Sequence, residues 1–277
     1  MMVTPALFAW LRLRHGPVAG LWGFGAGLAA ALLLRSTDGV VAVSVLGLSG
    51  TLIGWGRERR WAAWRVIAAA SSPLAILSAL QTLVLIRPDA RQIFVEELRA
   101  AVGEAGQLPS LLGTRPEDVA TAQDLAARMG EVLWLVGPAL GIISAVIFGF
   151  LVYRVSQGLF HRFGIDLVPV TPFRSWALGE RFIWFLVLGL VLEVSRIGPA
   201  VAVGHNILLI AGFGYLVQGA SIVCHVLETR RVPKVGQVLV WVVGLVFLQP
   251  MSGILAVAMG LLDTWVDFRR RLAPQRA

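Results

Sequence analysis

An all-α bundle of membrane-spanning helices is the fold class this sequence predicts, and three observations predict it. First, 57% of the 277 residues are hydrophobic and only 14% are charged, where an ordinary globular domain carries about 25% charged residues. Second, eight apolar stretches run almost end to end, at 17–34, 39–56, 66–86, 132–153, 182–196, 203–226, 235–248 and 251–265. Most approach or exceed the ~20 residues a helix needs to cross the hydrocarbon core. Third, the runs are continuous and lack a period of two. Lipid leaves only helices or closed barrels, and this pattern selects helices. The expectation is a polytopic transmembrane bundle with seven to eight spanning or half-spanning helices, forming one integral membrane domain over 1–277, with an external amphipathic helical segment.

The elements follow in order. The opening MMVTPALFAWLRLR has no basic region ahead of its apolar part, so it is a poor signal peptide. Being too short to span, it is expected to lie at the interface or to be the remnant of a longer first helix. The next two spans meet at Ser36-Thr37-Asp38-Gly39. Their small residues, Gly23 and Gly27, then Gly47, Gly50 and Gly54, recur at helical spacing, as do Gly137 and Gly141 further on. In lipid such spacing lets helices approach closely. Pro73 and Pro138 fall inside spans and predict kinks. Near the end, Gln249-Pro250-Met251-Ser252-Gly253 interrupts a run too long for one straight span. Two short helices and a reversal of the chain are expected there.

Between the third and fourth spans, 87–131 forms the sizeable extramembrane insertion, with eight acids against five arginines. It predicts two amphipathic helices. The first, over 89–104, turns Phe94, Leu98, Ala101 and Val102 to one side. The second opens on Thr114-Arg115-Pro116-Glu117, a capping-box pattern, and places Val119, Ala122, Leu125, Ala126 and Met129 at helical spacing. A helical hairpin resting on the bundle is the plain reading, and a lid over an outward cavity the functional one.

The net charge of +8 comes from arginines at the ends of apolar runs, where cytoplasmic loops collect them. The charge therefore points to topology and not to nucleic acid. Arg12 and Arg14, then Arg57, Arg59, Arg60 and Arg65, then Arg154, Arg162, Arg174 and Arg181, then Arg230, Arg231 and Lys234 occupy alternate loops. Placing those loops inside puts 87–131 outside and both termini in the cytoplasm of a bacterium whose inner membrane holds the chain.

Polar groups within spans are costly and invite a functional hypothesis. At 100° per residue, Gly214, Tyr215, Gln218, Ser221 and His225 share one face, and Asn206 begins the same helix. Asn206, Tyr215, Gln218, Ser221 and His225 are the candidate ligand-binding residues: a phenol, amides, a hydroxyl and an imidazole suited to a small polar ligand, or to hydrogen bonds between helices. Glu193 and Arg196 are spaced to pair locally. Asp263 and Asp267 are one turn apart, with Arg270 and Arg271 within reach, and are expected to anchor the helix end. The single cysteine, Cys224, cannot form an internal disulfide and is expected to pack. No His/Cys metal spacing, nucleophile elbow or phosphate-loop lysine is present. No enzyme activity, catalytic residue, metal or cofactor is therefore expected.

The residues Gly260-Leu261-Leu262-Asp263-Thr264-Trp265-Val266-Asp267-Phe268-Arg269 resemble the closing motif of the YybS-like family of bacterial predicted membrane proteins. Asn206-Ile207-Leu208-Leu209 and Tyr215-Leu216-Val217-Gln218-Gly219 resemble that family's penultimate region. The likeness is closest over 175–271, and looser at Arg14-His15-Gly16 and the glycine-rich span from Gly20. The resemblance implies Leu262, Asp263, Thr264, Trp265, Phe268 and Arg269 as family-motif residues. In hydropathy and helix count the family is similar to the substrate-capturing subunits of energy-coupling-factor transporters and to the cell-shape protein MreD, which is analogy of fold alone. Two functions follow as expectations. One is small-molecule binding related to transport, with a membrane or ATPase partner supplying energy. The other is a non-transporting scaffold for envelope, cell-shape or division proteins. A polar pocket at Tyr215 and Gln218 would favour the first, and a tightly packed interior the second.

Overall fold

The computed structural model describes residues 3–85, 88–105 and 116–272, and among them every regular element is helical. Two compact units divide the chain, Met1–Val170 and Thr171–Ala277.

In the first unit, α1 (Val3–His15), α2 (Pro17–Leu33), α3 (Thr37–Glu58) and α4 (Ala63–Leu85) are followed by α5 (Pro88–Ala105) and α6 (Pro116–His161). Gly16, at φ 89°, breaks the chain between α1 and α2, and Pro17 then starts α2 at a position where its missing N–H costs nothing. Ser36 caps α3, its hydroxyl accepting from Gly39 N at 2.9 Å. The apolar opening segment packs into the first unit. As α1 it enters the core, with Pro5, Ala6, Phe8 and Ala9 buried, and a side chain at Gly50 would run into the Pro5 carbonyl. Glycine is what lets α1 lie against α3. Gly54 sits under the Arg12 stem, whose guanidinium pairs with Glu58 at 2.8 Å, so α1 and α3 run towards the same arginine-rich end. Gly141 and Gly149 bring α6 against Ser78 and Ser71 of α4, whereas Gly137 meets open space.

The structure corrects the expected form of 87–131. Its first helix exists as α5, but its second has no end near 131. That helix runs on through the fourth apolar stretch as α6, 46 residues long. At about 1.5 Å per residue it measures roughly 69 Å, over twice a ~30 Å hydrocarbon core. The change in polarity near Glu131 does not mark the end of a helix. α5 packs on the head of α6, with Phe94 and Trp134 rings 5.7 Å apart, Val95 and Leu98 over Gly130, and Arg91 paired with Glu131. The capping pattern from Thr114 and the break at Leu108, Pro109 and Gly113 involve residues outside the described ones. Pro73 and Pro138 lie within α4 and α6, and both helices continue past them.

In the second unit, single turns at Phe173–Ser175 and Glu180–Phe182 precede α7 (Ile183–Val194), α8 (Gly198–Thr229), α9 (Lys234–Val242), α10 (Met251–Val266) and α11 (Phe268–Leu272). α9 continues in a wider π turn over Val243–Phe247. The chain then bends through 115° into α10, so the Gln249–Gly253 interruption separates two short helices as expected. Helices α3, α4, α6 and α8 are each long and apolar enough to cross a membrane, and the bent pair makes a fifth candidate. Over the described residues, each of the eight apolar stretches is mostly helical.

Three helix ends share one device. Arg35, Arg60 and Arg231 follow α2, α3 and α8 at φ 50°, 52° and 54°. The left-handed conformation there is usually given to glycine. After α3, Arg60 N donates to Arg57 O and Trp61 N to Gly56 O, both at 2.9 Å, and equivalent pairs close α2 and α8. A cation suits the negative end of a helix dipole, which favours arginine where backbone sterics favour glycine.

Candidate functional site

The predicted polar face of α8 is the centre of the second unit, and what it faces is the protein's own backbone. Between the turn at Phe173–Ser175 and Glu180, the chain is extended. Backbone outside regular helix needs other partners for its N–H and C=O groups. Gln218 and Ser221 supply them. Leu178 N donates to Gln218 Oε1 at 3.1 Å, and the Ser221 hydroxyl donates to Trp176 O at 2.7 Å. Gly214 leaves room for Phe182 and Leu178, and the Tyr215 ring meets Phe182 edge to face at 5.5 Å.

The closing motif completes the cluster from the other side. Gln218 Nε2 donates to Asp263 Oδ2 at 3.0 Å. Asp263 Oδ1 accepts from Phe268 N at 2.8 Å, across the left-handed turn at Asp267. Arg269 Nη1 lies 3.6 Å from Asp263 Oδ2. Its Nη2 donates to Trp176 O and to Ser221 Oγ, the latter at 2.6 Å. The Asp263 side chain is 5% exposed and that of Arg269 17%. Gln218 and Ser221 are 3% and 0% exposed. α10 reaches this depth because Gly219 and Gly260 let its backbone touch that of α8.

Two groups of predicted residues thus merge. Tyr215, Gln218 and Ser221 join Asp263, Phe268 and Arg269 at one place, the Tyr215 hydroxyl buried without a hydrogen-bond partner. Others stand apart. Asn206 is twelve residues up α8, about 18 Å away, and donates to Ala202 O at 2.8 Å. His225 lies further along α8, its Nε2 buried without a hydrogen-bond partner. Leu262 and Trp265 are exposed. Glu193, spaced so that it could pair with Arg196, lies 3.3 Å from His205 Nδ1. Asp263 takes Arg269 as its cation, not Arg270 or Arg271. Trp176 and Leu178 contribute through their backbone, so no side-chain pattern marks them in the sequence. Their one trace is an aperiodic stretch between two apolar runs.

Comparison with known proteins adds a family. The family described as "Predicted membrane protein (DUF2232)" matches residues 1–264. Over 289 aligned positions the chain is 22% identical to the uncharacterized protein YybS of Bacillus subtilis strain 168, covering 98% of this chain and 89% of that one. No solved structure matches it significantly.

Proposed function

Because the chain belongs to the DUF2232 family of predicted membrane proteins, we propose that it acts as a non-transporting scaffold in the bacterial cytoplasmic membrane, organising envelope, cell-shape or division proteins. The observation that carries this reading is the state of Gln218. Both ends of its amide are engaged by the protein itself, one by Leu178 N and the other by Asp263. Ser221, Asp263 and Arg269 are likewise engaged with one another and with Trp176 O. A face built to greet a small polar ligand would keep such groups open, since a ligand must match what water or protein already provides. A substrate-capturing role would need the extended segment to leave α8 so that a ligand could take over its hydrogen bonds.

On this reading the arginine-rich helix ends face the cytoplasm, and the α5–α6 head stands outside as the surface offered to partners. Native mass spectrometry of the gently extracted protein tests it. Copurified protein with no small molecule is the expected result. A stoichiometric small ligand, held by the natural protein and lost on Gln218→Leu, would replace scaffold with substrate capture.

A further inference from the structure

The turn between α3 and α4 carries exposed groups that the polar cluster does not use. Within eleven residues it presents three tryptophans, Trp55, Trp61 and Trp64, together with Arg59, Arg60 and Arg65. The Arg59 guanidinium lies over the Trp55 ring at 5.3 Å, and Arg65 over Trp64 at 5.2 Å. Trp55 and Trp61 rings meet at 5.0 Å. Trp64 is 66% exposed. The nearby acids are committed elsewhere: Glu58 to Arg12 through two hydrogen bonds, and Asp166 to His161 and, by its carbonyl, to Arg57. Among the described residues, Arg59, Arg60 and Arg65 have no carboxylate partner.

We infer that this turn is a binding site for anionic phospholipid headgroups. An exposed indole at the end of a span sits at headgroup level, its ring against the glycerol and upper acyl chain. A guanidinium stacked above it is held at the height of the phosphate, which it can meet with paired donors. A free anion would engage the cations and leave the indoles in water. A zwitterionic lipid brings an ammonium group towards three uncompensated positive charges. The chemistry therefore selects a lipid with net negative charge, and the site goes beyond the scaffold reading without depending on it.

The test uses the full chain in neutral detergent, with phosphatidylglycerol, phosphatidylethanolamine and inorganic phosphate as probes and retained lipid read by native mass spectrometry. Phosphatidylglycerol is expected to be retained in preference to phosphatidylethanolamine, and excess phosphate is expected not to displace it. Each arginine near a charged surface contributes about fivefold, so Arg59→Gln/Arg60→Gln/Arg65→Gln should weaken retention by about a hundredfold. Arg65→Gln alone should weaken it about fivefold, which keeps the test decisive should the triple variant fold poorly. Trp64→Ala should weaken it with every arginine in place, and Arg99→Gln/Arg128→Gln, on α5 and α6, should leave it unchanged. Equal retention of the two lipids, displacement by phosphate, full retention by the triple or single arginine variant, or displacement of lipid by a copurifying acidic protein would each overturn the assignment.

Discussion

Gly219 of α8 and Gly260 of α10 face each other so closely that a β-carbon on either would enter a backbone carbonyl, that of Ala256 in one case and of Tyr215 in the other. Without a hydrophobic push between helices in lipid, such contact is how two helices gain packing energy. It also sets the depth at which Asp263 meets Gln218.

Gly219→Ala and Gly260→Ala should therefore each destabilise the protein by about 1–3 kcal/mol. Gly253→Ala, where an added β-carbon meets nothing within 4 Å, should be neutral or slightly stabilising. Thermal unfolding in detergent compares the three, and equal behaviour would mean that the helices are not in contact here.

Removing one member of the polar cluster should cost more than removing two that face each other. Gln218→Leu leaves Leu178 N–H without a partner, at about 1–3 kcal/mol, and leaves Asp263 Oδ2 with the Arg269 guanidinium alone. Arg269→Ala leaves a buried carboxylate without its cation, while Arg269→Ala with Asp263→Ala removes both. A double-mutant cycle should show the second change costing less once the first is made. Additive losses would separate the two residues energetically.

Arg231→Gly should stabilise the end of α8 by about 1 kcal/mol, because the left-handed conformation burdens any residue with a β-carbon. Arg231→Ile should destabilise it, since branching at the β-carbon worsens the same conformation. Denaturant or thermal midpoints decide, and a loss of stability in the glycine variant would show that the arginine side chain outweighs the backbone.

The α5–α6 head should behave as one rigid piece. Nitroxides replacing Ile93 and Leu125, both exposed, in a Cys224→Ser background should give one narrow distance distribution. It should not change when candidate ligands are added. Gly130→Leu, which crowds Val95 and Leu98, should broaden it. A second distance on adding a ligand would restore the lid reading.

Much of this architecture was legible in the order of residues. The apolar stretches, the Ser36 turn and the break at Pro250 are local signals with local causes, and each lies where its chemistry places it. The face holding Tyr215, Gln218 and Ser221 was legible as well, because helical periodicity alone aligns it. What covers that face was not legible. Leu178 and Trp176 meet it through their backbone, which every residue shares, and Arg269 arrives from the far end of the unit. The continuity of α6 was hidden for a different reason. Composition changes along α6 while its backbone hydrogen bonding does not, so the change in polarity gives no sign of where the helix ends. The core position of α1 rests on Gly50, whose role depends on a neighbour and not on its own run of sequence.

The extended segment also sets an order of assembly. Trp176 and Arg269 are 93 residues apart, and the carbonyl of the first is satisfied in part by the guanidinium of the second. During synthesis the segment emerges well before its partner, with its backbone groups still lacking the hydrogen bonds they make in the folded unit. Its bonds to Gln218, Ser221 and Arg269 can form only once α8 and α11 have been made. Arg269 thus acts as a late fastening of the second unit, and a ribosome that stopped short of it would leave the Trp176 carbonyl and Asp263 without their guanidinium.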